Sequence, residues 1–281
     1  MTYTTLISIS ALAKSLDDPN VVVFDCRHDL ANPGAGELAY AKSHIPGARF
    51  AHTDKVLSAP LTGKNGRHPL PDPATFIAWL GNQGVSNTTQ VIAYDSTGGA
   101  YAARLWWMLK HWLGHQAVAV LDGSWDIWMK AGFPVTAEPP AIKPAVFAAK
   151  VNPAVTVSAA DILAALGKPS LQLVDARAND RFHGQNETID PVAGHIPGAI
   201  NRVFRDNLDA HGFYKPAADL RADFQKLLGD RPLDTVVHQC GSGITAVHNL
   251  LAMEVAGLAG TKLYPGSWSE WIADPSRPVT K

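Results

Sequence analysis

The chain has 281 residues, 46% of them hydrophobic, and a formal net charge of −1. This length suits one large domain or two ordinary ones. The near-neutral balance of charges provides no electrostatic basis for binding nucleic acid or an acidic membrane surface, so we expect neither as a partner. The chain contains two cysteines, Cys26 and Cys240, without the spacing of metal ligands. We therefore expect neither a disulfide framework nor a structural metal site.

The first residues carry no basic segment followed by an apolar run, so we expect no signal peptide. Nowhere does an apolar run approach the about 18 residues that a membrane-spanning helix needs. The sequence therefore predicts a cytoplasmic protein without a membrane segment.

Short apolar strands alternate with helical patterns in the first half of the chain. The patterns predict strands over residues 21–25, 91–94 and 117–121 and helices over 10–16, 73–80, 100–113 and 123–130. Continuous apolar strands bounded by turns are typical of a parallel sheet that is buried on both faces. Helices between parallel strands imply right-handed crossovers and a doubly wound α/β domain.

The second half repeats this alternation. It predicts helices over residues 158–166, 217–228 and 246–258 and strands over 171–175, 235–239 and 261–263. The class predicted for the whole chain is therefore α/β, with a mostly parallel sheet flanked by helices in each half.

Four sequence anchors recur in the same order in both halves. Val-Phe-Asp-Cys-Arg at 23–27 matches Leu-Val-Asp-Ala-Arg at 173–177, and His-Ile-Pro-Gly-Ala occurs at 44–48 and 195–199. Val-Ile-Ala-Tyr-Asp at 91–95 matches Val-Val-His-Gln-Cys at 236–240, and Gly-Ser-Trp occurs at 123–125 and 266–268. We expect a duplicated domain, with boundaries at 1–137 and 155–281 and a proline-rich linker over 138–154.

The stretch His-Gln-Cys-Gly-Ser-Gly-Ile-Thr-Ala at 238–246 carries the strongest chemical signal. It joins a predicted buried strand to a predicted helix through a glycine-containing loop. Such a loop turns backbone N–H groups inward at the positive end of a helix dipole, so the Cys240 thiol is expected to ionise easily. The amides from Gly241 to Thr245, including those of Ser242, Gly243 and Ile244, are the expected anion donors.

The duplication allows one half to serve as a comparison for the other. Asp95 stands where the second half has Cys240, so we expect the chemistry in the second domain alone. Arg181 has Ala31 as its counterpart, which favours a role in binding an anionic substrate. His44 and His195 occur in both halves, and we interpret them as structural. Cys26 follows a buried strand and is expected to be an inert core thiol.

These motifs resemble the tandem rhodanese-type sulfurtransferases over essentially the whole chain. The resemblance depends on Gly-His-Ile-Pro-Gly-Ala at 194–199, Cys-Gly-Ser-Gly-Ile-Thr-Ala at 240–246 and Gly-Ser-Trp-Ser-Glu-Trp at 266–271. It implies two rhodanese-like domains, the first without the catalytic cysteine. It also implies a persulfide on Cys240, formed from a small anionic donor, 3-mercaptopyruvate or thiosulfate, and passed to cyanide or a thiol. No cofactor and no metal are implied.

The resemblance also implies roles for residues outside the cysteine. Ser242, Asp54 and His68 match a serine-protease-like relay of the mercaptopyruvate branch, and the alternative for Asp54 and His68 is ordinary turn chemistry in an exposed loop. Arg181 matches an arginine that binds the donor carboxylate. A second such arginine is absent, because Asp190 stands nine positions after Arg181. Arg202 and Arg205 are candidates to replace it.

Three other functions are weighed against this one. The sequence argues against a thiol phosphatase, which needs an arginine six positions after the cysteine to clamp phosphate, because that position is Ala246. A non-catalytic sulfur carrier or interaction module would not require the intact Cys240 loop. The third alternative keeps the enzyme but makes thiosulfate its preferred donor.

Overall fold

The structure, a computed structural model, describes residues 2–281. Its internal contacts divide the chain into two units. The first unit comprises the chain up to Ala59, Pro71–Asn152 and Ala210–Tyr214, and the second comprises Pro60–Leu70, Pro153–Asp209 and Lys215–Lys281. A short segment from the first half of the sequence, Pro60–Leu70, therefore packs as part of the second unit. The exact boundaries of two domains stay a prediction.

The first unit is built on a sheet of five parallel strands. They are β1 (Leu6–Ser8), β2 (Val21–Asp25), β3 (Arg49–Phe50), β4 (Gln90–Tyr94) and β5 (Val118–Asp122). Their order across the sheet is β1–β5–β4–β2–β3, and all four pairings are parallel. The three predicted strands correspond to the central β2, β4 and β5. The short edge strands β1 and β3 escaped prediction, because two or three residues carry no periodic pattern.

Five α-helices flank this sheet. They are α1 (Ile9–Ser15), α2 (Ala35–Lys42), α3 (Pro73–Asn82), α4 (Ala102–Trp107) and α5 (Ser124–Lys130). The sequence dictates where α3 begins, since Asp72 caps its first turn through a bond from the Thr75 amide and Pro73 occupies a position where no amide donor is needed. Helix α2 was not predicted.

The prediction of one α-helix over 100–113 is wrong in its second half. A π-helical turn, Met108–Trp112, follows α4, and its Leu113 N–H donates to the Met108 carbonyl at 2.9 Å, five residues back. Trp107, the last residue of α4, and Trp112, the last residue of the π-helical turn, are both buried, with exposures of 1% and 5%.

The second unit is built on four parallel strands and five α-helices. The strands are β6 (Gln172–Asp175), β7 (Ile200–Asn201), β8 (Val236–Gln239) and β9 (Lys262–Leu263), in the order β7–β6–β8–β9. The helices are α6 (Ala159–Ala165), α7 (Asn179–Phe182), α8 (Ala217–Leu228), α9 (Ala246–Val255) and α10 (Ser267–Trp271). The predicted class, two α/β domains with mostly parallel sheets flanked by helices, is confirmed. Among residues 2–281, no helix has both the length and the apolar composition that crossing a bilayer requires.

Both units share one buried ion pair at the end of a central strand. Arg27 Nη2 lies 2.6 Å from Asp25 Oδ2 in the first unit, and Arg177 Nη2 lies 2.7 Å from Asp175 Oδ2 in the second. Each guanidinium also stacks on a tryptophan: Arg27 lies 4.3 Å from the Trp125 ring centre, and Arg177 lies 4.8 Å from that of Trp268. Since the arrangement occurs in both copies, it belongs to the scaffold.

Candidate active site

Cys240 lies directly after β8, in the loop that leads into α9. Its side chain is buried, with 2% exposure. The sulfur accepts hydrogen bonds from the Gly243 amide at 3.1 Å and the Ser242 amide at 3.5 Å. Two N–H donors of the loop therefore point at the sulfur, an arrangement that stabilises negative charge there. The amides of Gly241, Ile244 and Thr245 stay predicted anion donors.

Helix α10 holds this loop in place. Ser267 Oγ accepts from the Cys240 amide at 3.1 Å, while the amides of Trp268 and Ser269 donate to the carbonyls of Cys240 and Gly241 at 3.0 and 2.9 Å. Gly243 has a φ of +77°, and a Cβ there would lie 2.2 Å from the Pro265 carbonyl oxygen. Glycine is therefore required where the loop turns its amides toward the sulfur.

Ser242 and His68 form a direct hydrogen bond within the second unit. His68 Nδ1 lies 2.7 Å from Ser242 Oγ, and both residues are buried. They are separated by 174 positions in the sequence, and they meet because Pro60–Leu70 packs with the second unit. The predicted pairing of this histidine with the serine in the cysteine loop is thus present in the geometry. Its role in catalysis stays a prediction.

Arg181 lies in an ion-pair network instead of standing alone. Its Nη2 contacts Glu187 Oε1 at 2.9 Å and Asp190 Oδ2 at 3.1 Å. Burial acts to raise the pKa of Glu187, but hydrogen bonds from Arg181 and from the amides of Asp190 and Ile189 hold that pKa below its usual value. Glu187 is therefore an ionised partner at neutral pH.

Arg67 also enters this network, and sequence reasoning missed it. Its Nη1 lies 2.6 Å from Asp190 Oδ1. Arg202, a candidate for the absent second arginine, instead contacts Asp223 at 3.0 Å, and the Arg205 guanidinium lies 5.7 Å from the Phe204 ring centre. The one signal in the sequence that could have identified Arg67 is its position next to His68.

The corresponding loop of the first unit is filled by its own side chain. Asp95 Oδ1 accepts from the amides of Thr97 and Gly99 at 2.7 and 2.9 Å. Its Oδ2 accepts from the amides of Tyr101 and Ala102, both at 2.8 Å. The carboxylate thus occupies the position that an external anion would take in this loop.

Asp54 belongs to the first unit, where it lies close to two histidines. Potential ligand atoms of His28, His52 and Asp54 all lie within 4.8 Å of one another. However, His52 Nδ1 accepts the Asp54 amide at 3.2 Å, so the proton of the neutral ring sits on Nε2. This hydrogen bond must break before His52 can bind a metal through either ring nitrogen. Binding through Nδ1 needs the lone pair that the amide uses, and binding through Nε2 moves the ring proton to Nδ1, where it would face the amide N–H. The participation of Asp54 in a relay with Ser242 and His68 stays a prediction.

The two histidines that recur in the two halves, His44 and His195, make contacts of a structural kind. The Nδ1 and Nε2 atoms of His44 lie 2.8 and 3.1 Å from the carbonyl oxygens of Tyr40 and Glu138. His195 Nδ1 lies 2.9 Å from the Phe182 carbonyl oxygen. Cys26 is fully buried, and burial, with smaller contributions from the charges of Asp25 and Asp95, raises its pKa well above the usual value. An unionised, inaccessible thiol is a poor nucleophile.

Fold and site together define a class: a tandem α/β protein whose second unit carries one thiol in an amide-lined loop. The sequence profile of the family described as "Rhodanese-like domain" matches residues 8–131 and 158–274. The chain belongs to this family, and it is a sulfurtransferase.

Relatives match over nearly the full length. The chain is 46% identical to a probable 3-mercaptopyruvate sulfurtransferase of Pseudomonas aeruginosa, covering 99% of each chain. It is 36% identical to the thiosulfate sulfurtransferase of Mus musculus, covering 96% of this chain and 92% of the relative. The crystal structure of the 3-mercaptopyruvate sulfotransferase SseA from Escherichia coli aligns with a TM-score of 0.78 at 31% identity, covering 95% and 99% of the two chains.

Proposed function

We propose that the chain transfers a sulfur atom from 3-mercaptopyruvate, through a persulfide on Cys240, to cyanide or a thiol. The Cys240 thiolate attacks the donor sulfur, the carbon–sulfur bond breaks, and its electron pair leaves on carbon as the pyruvate enolate, which then takes up a proton. The acceptor next attacks the outer sulfur of the persulfide and regenerates the thiolate. Amides of Ser242 and Gly243, at 3.5 and 3.1 Å from the sulfur, support this cycle by stabilising its anions.

The hydrogen bond between His68 and Ser242, at 2.7 Å, is the observation that favours 3-mercaptopyruvate. A sulfur donor that contains a carbonyl group develops negative charge on the carbonyl oxygen as the enolate leaves. A hydroxyl that is hydrogen-bonded to an imidazole is suited to stabilise that charge or to return the proton. Thiosulfate has no such carbonyl and needs no proton for its leaving sulfite.

Thiosulfate is the second candidate donor. Two arginines, Arg67 and Arg181, contact Asp190 near the cysteine loop, and two guanidinium groups at one place would suit a dianion. The thiosulfate sulfurtransferase of Mus musculus, at 36% identity, also supports this alternative.

The deciding experiment compares kcat/KM for the two donors, with cyanide as acceptor and thiocyanate as the measured product. We expect the value for 3-mercaptopyruvate to be at least tenfold higher. A higher value for thiosulfate would replace the proposed donor, and no thiocyanate from either would contradict the proposed reaction.

Because Cys240 must remain a free thiol, we also propose a reducing compartment, the cytoplasm, as the place where the protein acts.

A further inference from the structure

A three-residue stretch, Gly66-Arg67-His68, lies against the Cys240 loop within the second unit. Gly66 has a φ of +78°, and a Cβ there would lie 2.7 Å from the Gly266 carbonyl oxygen, so glycine is required for this close approach. The Arg67 amide donates to Ser269 Oγ at 2.9 Å, and the Ser269 amide donates to the Gly241 carbonyl at 2.9 Å. The backbone of Arg67 is therefore attached to the helix that holds the cysteine loop.

Two guanidinium groups converge on the residue that follows the cysteine. A Cβ built on Gly241 would lie 2.9 Å from Arg67 Nη2 and 3.9 Å from Arg181 Nη2. Asp190 bridges them, with Oδ1 at 2.6 Å from Arg67 Nη1 and Oδ2 at 3.1 Å from Arg181 Nη2. The carboxylate that replaces an expected arginine thus fixes the position of another one.

The two arginines differ in how many donors they have already used. Nε and Nη2 of Arg181 are both bonded to Glu187 at 2.9–3.1 Å. In Arg67 the bonded nitrogen is Nη1, while Nε is buried without a hydrogen-bond partner among residues 2–281. The Nε and Nη2 edge of a guanidinium is a planar pair of donors that matches an oxyanion bidentately. Within the described part of the chain, residues 2–281, no carboxylate bonds to this edge of Arg67.

We propose that Arg67 binds the anionic end of the sulfur donor and that Asp190 positions Arg67. Arg181 is a second cation at this place, but its Nε and Nη2 are already bonded to Glu187. The proposal rests on the proposed function, since it assumes a donor that delivers sulfur to Cys240. It assigns specificity to the Pro60–Leu70 segment, which also carries His68. The ligand group is an oxyanion, either the carboxylate of 3-mercaptopyruvate or the sulfonate end of thiosulfate.

Steady-state kinetics with both donors test this assignment. We expect Arg67→Gln to raise KM for the preferred donor about tenfold or more, with a much smaller change in kcat, because a charge-assisted bidentate contact is lost. Arg67→Lys keeps the charge but not the fork and is expected to recover part of the loss. Arg231→Gln is the matched control: Arg231 donates to the Pro169 carbonyl at 3.0 Å, outside this network, and its KM is expected to stay at the wild-type value.

Alkylation of Cys240 provides a test that needs no turnover. Iodoacetate carries a carboxylate and iodoacetamide does not, so the ratio of their rates reports the positive charge beside the sulfur. We expect Arg67→Gln to lower this ratio at least threefold while the iodoacetamide rate stays constant, and we expect salt to lower it in the wild type. A purely structural role would change both rates together.

The two proposals fail in different ways. An unchanged KM and an unchanged alkylation ratio in Arg67→Gln, with wild-type turnover intact, would overturn the role of Arg67 alone. A wild type that turns over neither donor, yet shows the expected alkylation ratio, would contradict the reaction and leave an anion site at Arg67.

Discussion

Asp95 and Cys240 stand at the same position of the repeated strand–loop–helix, and each accepts hydrogen bonds from the amides of its own loop. The Asp95 carboxylate takes four amides at 2.7–2.9 Å, whereas the Cys240 sulfur takes the Gly243 amide at 3.1 Å and the Ser242 amide at 3.5 Å. The amides of the first loop are therefore used by a side chain of that same loop. In the second loop, two amides point at a thiol.

Replacing Asp95 is expected to destabilise the first unit. Asp95→Ala leaves four amides without their acceptor at a position that is 1% exposed, and each buried unsatisfied donor costs about 1–3 kcal/mol. We expect a loss of about 3 kcal/mol or more in the free energy of unfolding, measured by urea denaturation. Asp126→Ala, at an exposed position of the same unit, is the control and is expected to change little. Equal stability of the two variants would show that the carboxylate does not support the loop.

Cys240→Ser is expected to abolish sulfur transfer while leaving the fold intact, because a serine hydroxyl does not attack the donor sulfur and cannot hold a persulfide. Incubation of the wild type with donor is expected to add about 32 Da, one sulfur atom, to the Cys240 peptide in mass spectrometry. Cys26→Ser is the matched variant, and it is expected to remain active since that thiol is fully buried. Turnover by Cys240→Ser, or an adduct on the Cys26 peptide, would contradict the assignment.

Ser242 and His68 are expected to act as one unit. Ser242→Ala and His68→Gln should each lower kcat for 3-mercaptopyruvate, and the double variant should be little worse than either, since each single change already breaks the 2.7 Å hydrogen bond. The measurement is a double-mutant cycle on kcat/KM, in which the expected coupling is about 0.5–3 kcal/mol. Simple additivity of the two losses would mean that the hydrogen bond has no part in the reaction.

His238 is expected to make the protein less stable in acid. Burial lowers its pKa to about 3, and its Nε2 faces the Met253 sulfur at 3.2 Å. Between pH 6.5 and about 3 the unfolded chain binds a proton here that the folded chain does not, so stability falls as pH falls through this window. From pH 7 to pH 5 this single group is expected to remove about 2 kcal/mol.

His238→Gln tests this because glutamine does not titrate. The difference in unfolding free energy between pH 7 and pH 5 is expected to shrink by that amount in the variant, whatever its stability at pH 7. His183→Gln, at an exposed position, should leave the difference unchanged. The same pH dependence in wild type and His238→Gln would show that His238 is not the group responsible.

The sequence by itself determined the local parts of this protein. The duplication, the central strands β2, β4, β6 and β8, helix α8 with its predicted bounds, and the loop from Cys240 to Thr245 all follow from short-range patterns. Apolar periodicity, caps and turn residues act over a few neighbouring positions, so they can be recognised in a single sequence. Asp95 as the counterpart of Cys240 was visible for the same reason.

Only the tertiary structure decided which distant polar side chains meet. His68 reaches Ser242 across 174 positions and Arg67 reaches Asp190 across 123, and neither distance produces a periodic signal. The pairing of Arg181 with Glu187 and Asp190 was equally hidden, because a hydrogen bond between side chains depends on where their backbones pass in space. The cysteine loop could therefore be predicted from the sequence. The contacts that Arg67 and His68 make beside it depend on how the Pro60–Leu70 segment packs.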